Sequence, residues 1–521
     1  MIQCLGKRLA FVPVIPFLLW GQAPDAGAQE KANAAFVLTL QEAIDRSLAH
    51  NLGLQIERIG PTIAEEDISV AKSEFDPVIF LNGNLDKQVS PQAASLLDGA
   101  EQPVSHSRSL TSGVTKKFSP GTVVGLSTSV TRRATNSLFA TLNPEHTAGV
   151  AVDVRQPLLK GAWKKVNLAS LVRSQAAFAQ TRYQLRRRAI DLITETEIGY
   201  WNVAYAHARM SLQQSSLEVA GQLLREAREK ERLGLATAID VLQAKAAFAA
   251  RRESIILAEQ AVKDSEDVVF SVLSSLQIEN PHLIVASLPE EDIAVPALAA
   301  LYARTQEFDL DLSIQREVIS QRELDVRVAR NNRLPNLDLT VQGGLAGRDV
   351  DGSEAFHNAL DRDGYSWRAG VEVTVPWGFR AERSRYRKAQ MALQQQQLLA
   401  ESLDQDLLFR VRTAWRALVA GKERLEVTRA SLTLSEEQFE AVRAKFNAGL
   451  STFREVLEGQ EDLDEARKRK LDALIDSIRA SARLARFDGA IMDRHGYAWE
   501  EVDALTAERP ESPEKPSRNG S

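Results

Sequence analysis

The sequence predicts an α+β chain built mainly of long α-helical hairpins with sets of amphipathic strands between them, and three observations support this. Two stretches, Pro157 to Pro281 and Pro376 to Pro510, contain no internal proline and are dominated by Ala, Leu, Gln, Glu, Lys and Arg, all good helix formers. Val150, Val152 and Val154 alternate with Ala151, Asp153 and Arg155, the period of a strand with one apolar face. The order helix, strands, long hairpin occurs twice along the 521 residues.

The chain begins with basic Lys7 and Arg8, an apolar run from Leu9 to Trp20, and the small residues Ala26-Gly27-Ala28, so residues 1–28 read as a secretory signal peptide. The only cysteine, Cys4, lies inside it. The mature chain is therefore expected to form no disulfide, to hold no thiolate metal site and to lack a lipid-bearing N-terminal cysteine. Loss of Lys7, Arg8 and Asp25 moves the formal charge from −6 to about −7, a mildly acidic balance that argues against nucleic acid as a partner. No later run of about 18 apolar residues suggests a spanning helix, which leaves a periplasmic or secreted protein, or a β-barrel of an outer membrane.

The first repeat, residues 29–296, starts with a helix over Leu40–Ile59 that Gly60-Pro61 interrupts, continues as a short helix to Glu74, and opens strands at Phe75-Asp76-Pro77. The second, residues 297–490, runs in the same order from Ala297 to Leu334-Pro335. Asn51-Leu52-Gly53-Leu54 matches Asp309-Leu310-Asp311-Leu312 at a separation of 258, as Pro77 matches Pro335. Pro157 matches Pro376 at 219, so 39 additional residues lie between Pro77 and Pro157; Gly234 matches Gly449 at 215. Within the insertion, Ser107–Lys117 and Thr122–Arg133 read as two further strands around the turn Ser119-Pro120-Gly121.

In the second repeat Val371, Val373 and Val375 oppose Glu372 and Thr374, and Leu337, Leu339 and Val341 oppose Asp338, Thr340 and Gln342. Such segments fit a membrane barrel with lipid on one face and water on the other; a soluble sandwich with one wet face gives the same alternation. Phe75, Trp163, Trp367, Trp377 and Phe379 near strand ends favour the membrane interface. Lys164 to Leu233 is 70 residues. As one helix it would extend roughly 105 Å, a length that implies coiled-coil packing. The C-terminal tail, 491–521, is expected to be largely disordered, most of all the Pro-, Ser-, Glu- and Lys-rich Glu508–Ser521.

These residues resemble the TolC-like outer-membrane efflux protein family. The marks are Leu40-Gln41-Glu42-Ala43-Ile44, Phe75-Asp76-Pro77, Gln156-Pro157-Leu158-Leu159 with Gly161, Arg232-Leu233-Gly234-Leu235 and Asp240-Val241-Leu242. In the second repeat they are Leu334-Pro335, Val375-Pro376-Trp377-Gly378, Phe446-Asn447-Ala448-Gly449 and Glu455-Val456-Leu457. The resemblance implies a homotrimer, with four strands per protomer in a shared twelve-stranded transmembrane β-barrel set in outer-membrane lipid. It also implies a trimeric α-barrel of long helices reaching into the periplasm, ringed by a belt of shorter helices around Leu40–Ile59 and Ala297–Gln321. A periplasmic adaptor protein and an inner-membrane pump are the implied partners of this exit duct, which would serve a tripartite efflux or type I secretion system.

Gly234 and Gly449 suit the left-handed end of a helix, and Thr237 and Thr452 suit the cap of the next one. The resemblance makes Leu233, Gly234, Leu235, Ala448, Gly449 and Leu450 adaptor-contact candidates at the periplasmic tips. It makes Asp240, Phe446, Ser451, Glu455 and Glu458 aperture candidates, the two glutamates forming an acidic mouth by threefold repetition. Asp240 and Glu455 also complete capping boxes with Thr237 and Thr452, so both readings stand for them. Where the family's gate uses a hydroxyl-bearing aromatic and an arginine, this chain has Phe446 and Ser451, so its closed state must be held differently or more weakly.

A periplasmic adaptor is the alternative reading, since adaptors also combine a signal sequence with a long hairpin, although one hairpin rather than two. No catalytic residue, cofactor or metal site is expected: the seven histidines lack metal-ligand spacing, and no nucleophile elbow or phosphate loop occurs.

Overall fold

The computed structural model describes residues 36–89, 102–278, 280–289, 294–362 and 364–498. The signal sequence and the tail beyond 498 lie outside these residues. The chain opens with a two-residue strand, β1 (Phe36–Val37), and two helices, α1 (Leu40–His50) and α2 (Leu52–Ser73). The break falls at Asn51, not at the expected Gly60-Pro61, and Pro61 is buried inside α2. The Asn51 carboxamide accepts a hydrogen bond from the Leu54 amide while its backbone (φ −60°, ψ 118°) leaves the helix, which is N-cap geometry. Asp309 has the same conformation (φ −61°, ψ 120°) and caps Leu312. It separates α6 (Leu298–Phe308) from α7 (Leu310–Asn331), so the repeat match at these positions is a match of helix caps.

Six strands follow from the two repeats: β2 (Val78–Val89), β3 (Val104–Lys117), β4 (Val123–Thr135) and β5 (Glu145–Pro157) from the first, β7 (Asn336–Asp349) and β8 (Gly364–Thr374) from the second. They form one antiparallel sheet in the order β2-β3-β4-β5-β7-β8. The inserted 39 residues thus enter the sheet as strands, and the four strands implied by the resemblance are six here. The register keeps one face in line: Ile79 pairs with Val114, Val114 with Leu126, Leu126 with Val152, Val152 with Gly343 and Gly343 with Trp367. Asn82, Thr111, Ser129, Gly149, Ala346 and Gly364 make a matching row on the other face. A short helix, α8 (Gly352–Leu360), bridges β7 and β8 with Ala355 and Ala359 buried.

Each repeat ends in a hairpin of one long and one shorter helix. Lys164 does not open the first one continuously: α3 (Lys164–Asn167) stops at Leu168, and α4 (Ala169–Arg232) starts after it. The Asn167 carboxamide donates to the Gly161 and Trp163 carbonyls, which favours a tight turn there over continued helix. α4 then turns into α5 (Ala238–Val272), and α9 (Arg380–Asn447) turns into α10 (Phe453–Phe487). With 64 and 68 residues, α4 and α9 extend about 96 and 102 Å at ~1.5 Å per residue. The two hairpins share a buried seam of Leu223 and Leu224 of α4 against Phe439 of α9 and Phe453 of α10, and Leu407, Val411 and Leu418 of α9 pack against Leu484 of α10 and Leu301 of α6.

At mid-length the chain ends are tied in. β1 pairs in parallel with β6 (Leu283–Ile284), and the Tyr200 hydroxyl of α4 donates to the Leu38 carbonyl and accepts from the Ala286 amide. Packed structure continues past 490: Ile491 and Met492 of α11 (Ala490–Arg494) are buried with Ile44, Leu54 and Ile193. The expected tail therefore starts later than 491 within the described residues. His495 is not an exposed loop histidine; its Nε2 lies 3.0 Å from buried Glu197, which also takes Arg494 at 3.2 Å. His207 and His282 converge on a second buried carboxylate, Glu266, at 3.5 and 3.4 Å. The Glu266 carboxylate beside its ring holds the His207 imidazole above the usual range. Among the described residues no group of three or more His, Cys, Asp or Glu is arranged to hold a metal ion.

Candidate aperture and docking tips

The ends of the hairpins remote from the sheet are reverse turns with one backbone design. At the first, the Gly234 amide donates to the Glu231 carbonyl and the Leu235 amide reaches back to Lys230 at 2.7 Å. At the second, Gly449 donates to Phe446 and Leu450 to Lys445 at 2.8 Å. Both glycines are left-handed, φ +74° and +75°, with open space where a Cβ would stand, so backbone conformation and not crowding demands glycine. Thr237 and Thr452 then cap α5 and α10 in complete capping boxes with Asp240 and Glu455.

The aperture candidates divide by partner. Asp240 accepts from the Thr237 amide (2.8 Å) and hydroxyl (2.7 Å). Glu455 accepts from the Thr452 amide (3.3 Å) and from the Ser451 hydroxyl, and these donors, Ser451 first, hold its carboxyl below the usual carboxylate range. Glu458 receives the Arg454 guanidinium at 2.7 Å one turn away, so its charge is locally matched. Phe446 packs against Phe453, ring centres 5.9 Å apart, and the Lys230 ammonium sits 3.5 Å over its ring. Lys230 and Arg454 are the residues that sequence reasoning missed. A signal existed for Lys230: a lysine stands four residues before the glycine at both tips, Lys230 and Lys445.

The docking candidates Leu233, Leu235 and Leu450 are 63%, 74% and 79% exposed. Gly234 and Gly449 lie at the turns beside them, and Ala448 is exposed too. Ile239 and Leu242 extend the exposed apolar surface of the first tip, at 67% and 66%.

A sheet with one aligned apolar face, joined end-on to helical hairpins about 100 Å long, fits a membrane protein of the β-sheet class whose helices project from the bilayer. The chain belongs to the outer membrane efflux protein family, whose sequence model matches residues 43–273 and 301–490. BepC, an outer membrane efflux protein of Brucella suis biovar 1, is 21% identical over 470 residues, covering 89% of this chain and 88% of that protein. OpmQ of Pseudomonas putida, a pyoverdine export outer membrane protein, is 24% identical over 292 residues, 53% of this chain and 57% of its own length. The CmeC outer membrane channel of Campylobacter jejuni has the same fold, with a TM-score of 0.64 at 16% identity, covering 90% of this chain and 89% of that one. Family membership makes this protein an outer-membrane efflux channel and sets aside the adaptor reading.

Proposed function

We propose that three copies assemble into a passive duct. The apolar sheet faces meet lipid, the helices of the three protomers form a tunnel, and the hairpin tips make its periplasmic mouth. An adaptor docks on Leu233-Gly234-Leu235 and Ala448-Gly449-Leu450, and an inner-membrane pump supplies the energy. The observation that supports this best is the polarity of the sheet. Apolar and polar rows alternate in register across all six strands, an arrangement suited to lipid outside and water inside.

At the mouth, Glu455 and Glu458 repeat by threefold symmetry into an acidic constriction that favours cations. Asp240 and Ser451 fix the backbone at their helix starts, and Phe446 under Lys230 ties α9 to α4 in the closed state. The test is single-channel conductance of the purified, signal-cleaved protein in planar bilayers, with and without Glu455→Gln plus Glu458→Gln. Cation selectivity is expected to fall in the double variant, further because Arg454 then loses its counter-charge. Conducting pores of unchanged selectivity would return both glutamates to capping and pairing, and a non-conducting monomer would end the duct reading.

A further inference from the structure

We infer that the membrane barrel of this protein closes with eighteen strands, six from each of three copies, instead of the twelve that four-stranded protomers would give. The inference rests on the trimeric duct proposed above and concerns the size of its exit.

The six strands are continuous in their pairing, and none is a loose flap. β3 pairs with β2 over twelve residues, from Val78↔Thr115 to Val89↔Val104, and with β4 over thirteen, from Ser105↔Thr135 to Lys117↔Val123. The turn that joins β3 to β4 is seated at the junction between sheet and helices. Gly121, at φ +97°, lies so close to the Gly161 carbonyl and the Asn167 carboxamide that a Cβ would stand 2.6 and 2.8 Å from them. The Phe118 amide and Thr122 carbonyl close the turn, and the Thr122 hydroxyl bonds to the Gln156 side chain. A hairpin held at its base in this way and laddered on both sides belongs to the wall.

The two edges are built to meet each other in a neighbouring copy. β2 and β8 are the only strands of the described sheet with one unpaired side, and they have 12 and 11 residues. An even strand number means that β2 and β8 run in opposite senses, so β8 of one copy can pair with β2 of the next in the antiparallel sense used throughout the sheet. In lipid, an open edge leaves backbone groups without partners, and closure removes that cost. Both edges present the same two faces. Ile79, Leu81 and Leu85 of β2 share the side of Trp367, Val371 and Val373 of β8, so the apolar band continues across the seam.

Closure sets the width. At about 4.8 Å between strands and about 40° of tilt, eighteen strands enclose a backbone cylinder about 36 Å across, against about 24 Å for twelve. The inserted hairpin turns Ser105, Ser107, Ser109 and Thr111 of β3 and Ser127 and Ser129 of β4 to the polar face. The same face carries Lys117 of β3 and Arg133 of β4 and, beyond the hairpin, Asp153, Asp338 and Arg368, so charges of both signs stand among the hydroxyls. The wider exit therefore suits bulky, water-soluble cargo, and size selection falls to the helical tips.

The test is a cryo-electron microscopy reconstruction of the full-length, signal-cleaved protein in lipid nanodiscs, paired with cysteine labelling. The described residues contain no cysteine, so single thiols read cleanly. Ser129→Cys on the polar face and its neighbour Thr128→Cys on the apolar face are treated with a membrane-impermeant thiol reagent. Eighteen strands are expected in one closed wall, and Ser129→Cys should label roughly tenfold faster or more, because the reactive thiolate needs water. A twelve-stranded wall with β3 and β4 displaced, or equal labelling of the two thiols, overturns the inference while conducting trimers would leave the duct intact. Monomers without conductance overturn both.

Discussion

The tip of the α4–α5 hairpin and the tip of the α9–α10 hairpin share one backbone and differ in what that backbone presents. Each turn has a left-handed glycine, a leucine after it and a threonine cap. On the second tip Phe453 and Val456 are buried, at 6% and 0% exposure, in a cluster with Leu223, Leu224 and Phe439. The repeat offset puts Ala238 and Val241 opposite them, and the first tip instead exposes Ile239 and Leu242. Where the first tip has Ile239 and Gln243, the second has the ion pair Arg454 and Glu458. The duplicated turn thus carries two surfaces: the second tip adds an ion pair and two buried anchors, and the first adds two exposed apolar side chains beside its turn.

The sharpest way to break this comparison is truncation of the anchors. Phe453→Ala is expected to lower stability by about 3–5 kcal/mol, as for other buried aromatics. Ile239→Ala should stay within about 0.5 kcal/mol, as exposed substitutions do, yet weaken binding of an adaptor. Guanidinium midpoints of the solubilised protein measure the first pair of values, and equal losses at the two tips would remove the distinction.

Gly234→Ala and Gly449→Ala come next, each expected to cost about 1–2 kcal/mol, the penalty for placing a Cβ in the left-handed region. The same assay should return matching values, since the two φ angles differ by one degree, +74° and +75°, and both sites have open surroundings; a clear inequality would mean that the turns are held by more than their own backbone.

The caps follow. Thr237→Ala and Thr452→Ala should each cost about 1 kcal/mol. Acid should act on the second tip through Glu455, whose folded carboxyl is held below its ordinary range by Ser451 and Thr452. A depressed carboxyl stabilises the fold above its unfolded value, near 4.3, and that contribution disappears as pH falls through the lower folded value. Helix signal followed between pH 5 and 2 should therefore show a loss at the α10 start that Glu455→Gln abolishes.

The smallest effect is expected at the contact between hairpins. Lys230→Gln removes a cation–π contact worth about 0.5–1 kcal/mol at an exposed site, and should raise the open fraction in single-channel records without a measurable change in midpoint. Phe446→Tyr keeps the ring and adds the hydroxyl that the resemblance associates with closure, so pore opening should fall. Unchanged conductance would show that the ring alone sets the latch.

Much of the fold was legible because the relevant forces act over four or five residues. Asn51 and Asp309 cap helices through side chains that reach three residues ahead, which is why their matched positions were visible as a repeat. The same holds for Gly234 and Gly449 and for the valine alternation of β5. Reading Gly60-Pro61 as a break failed since burial of Pro61 within α2 and a strong cap at Asn51 outweighed the local preference of proline. The capping role of Glu455 was legible in the sequence, and the structure adds Ser451 as a further donor to it and Arg454 as the partner of Glu458.

By itself, then, the sequence determined the α+β class, the duplicated order, both tip turns and the alternation of the strands, because periodicity, capping and left-handed glycine are written in neighbouring residues. Only the tertiary structure decided that the insertion adds two strands to the sheet, that His495 locks onto Glu197, and that Lys230 covers Phe446. These depend on how α4 and α10 pack against their neighbours and on which strand edges meet. Such registers are fixed by the summed burial of many side chains distant in the chain, and no short stretch of sequence contains that sum.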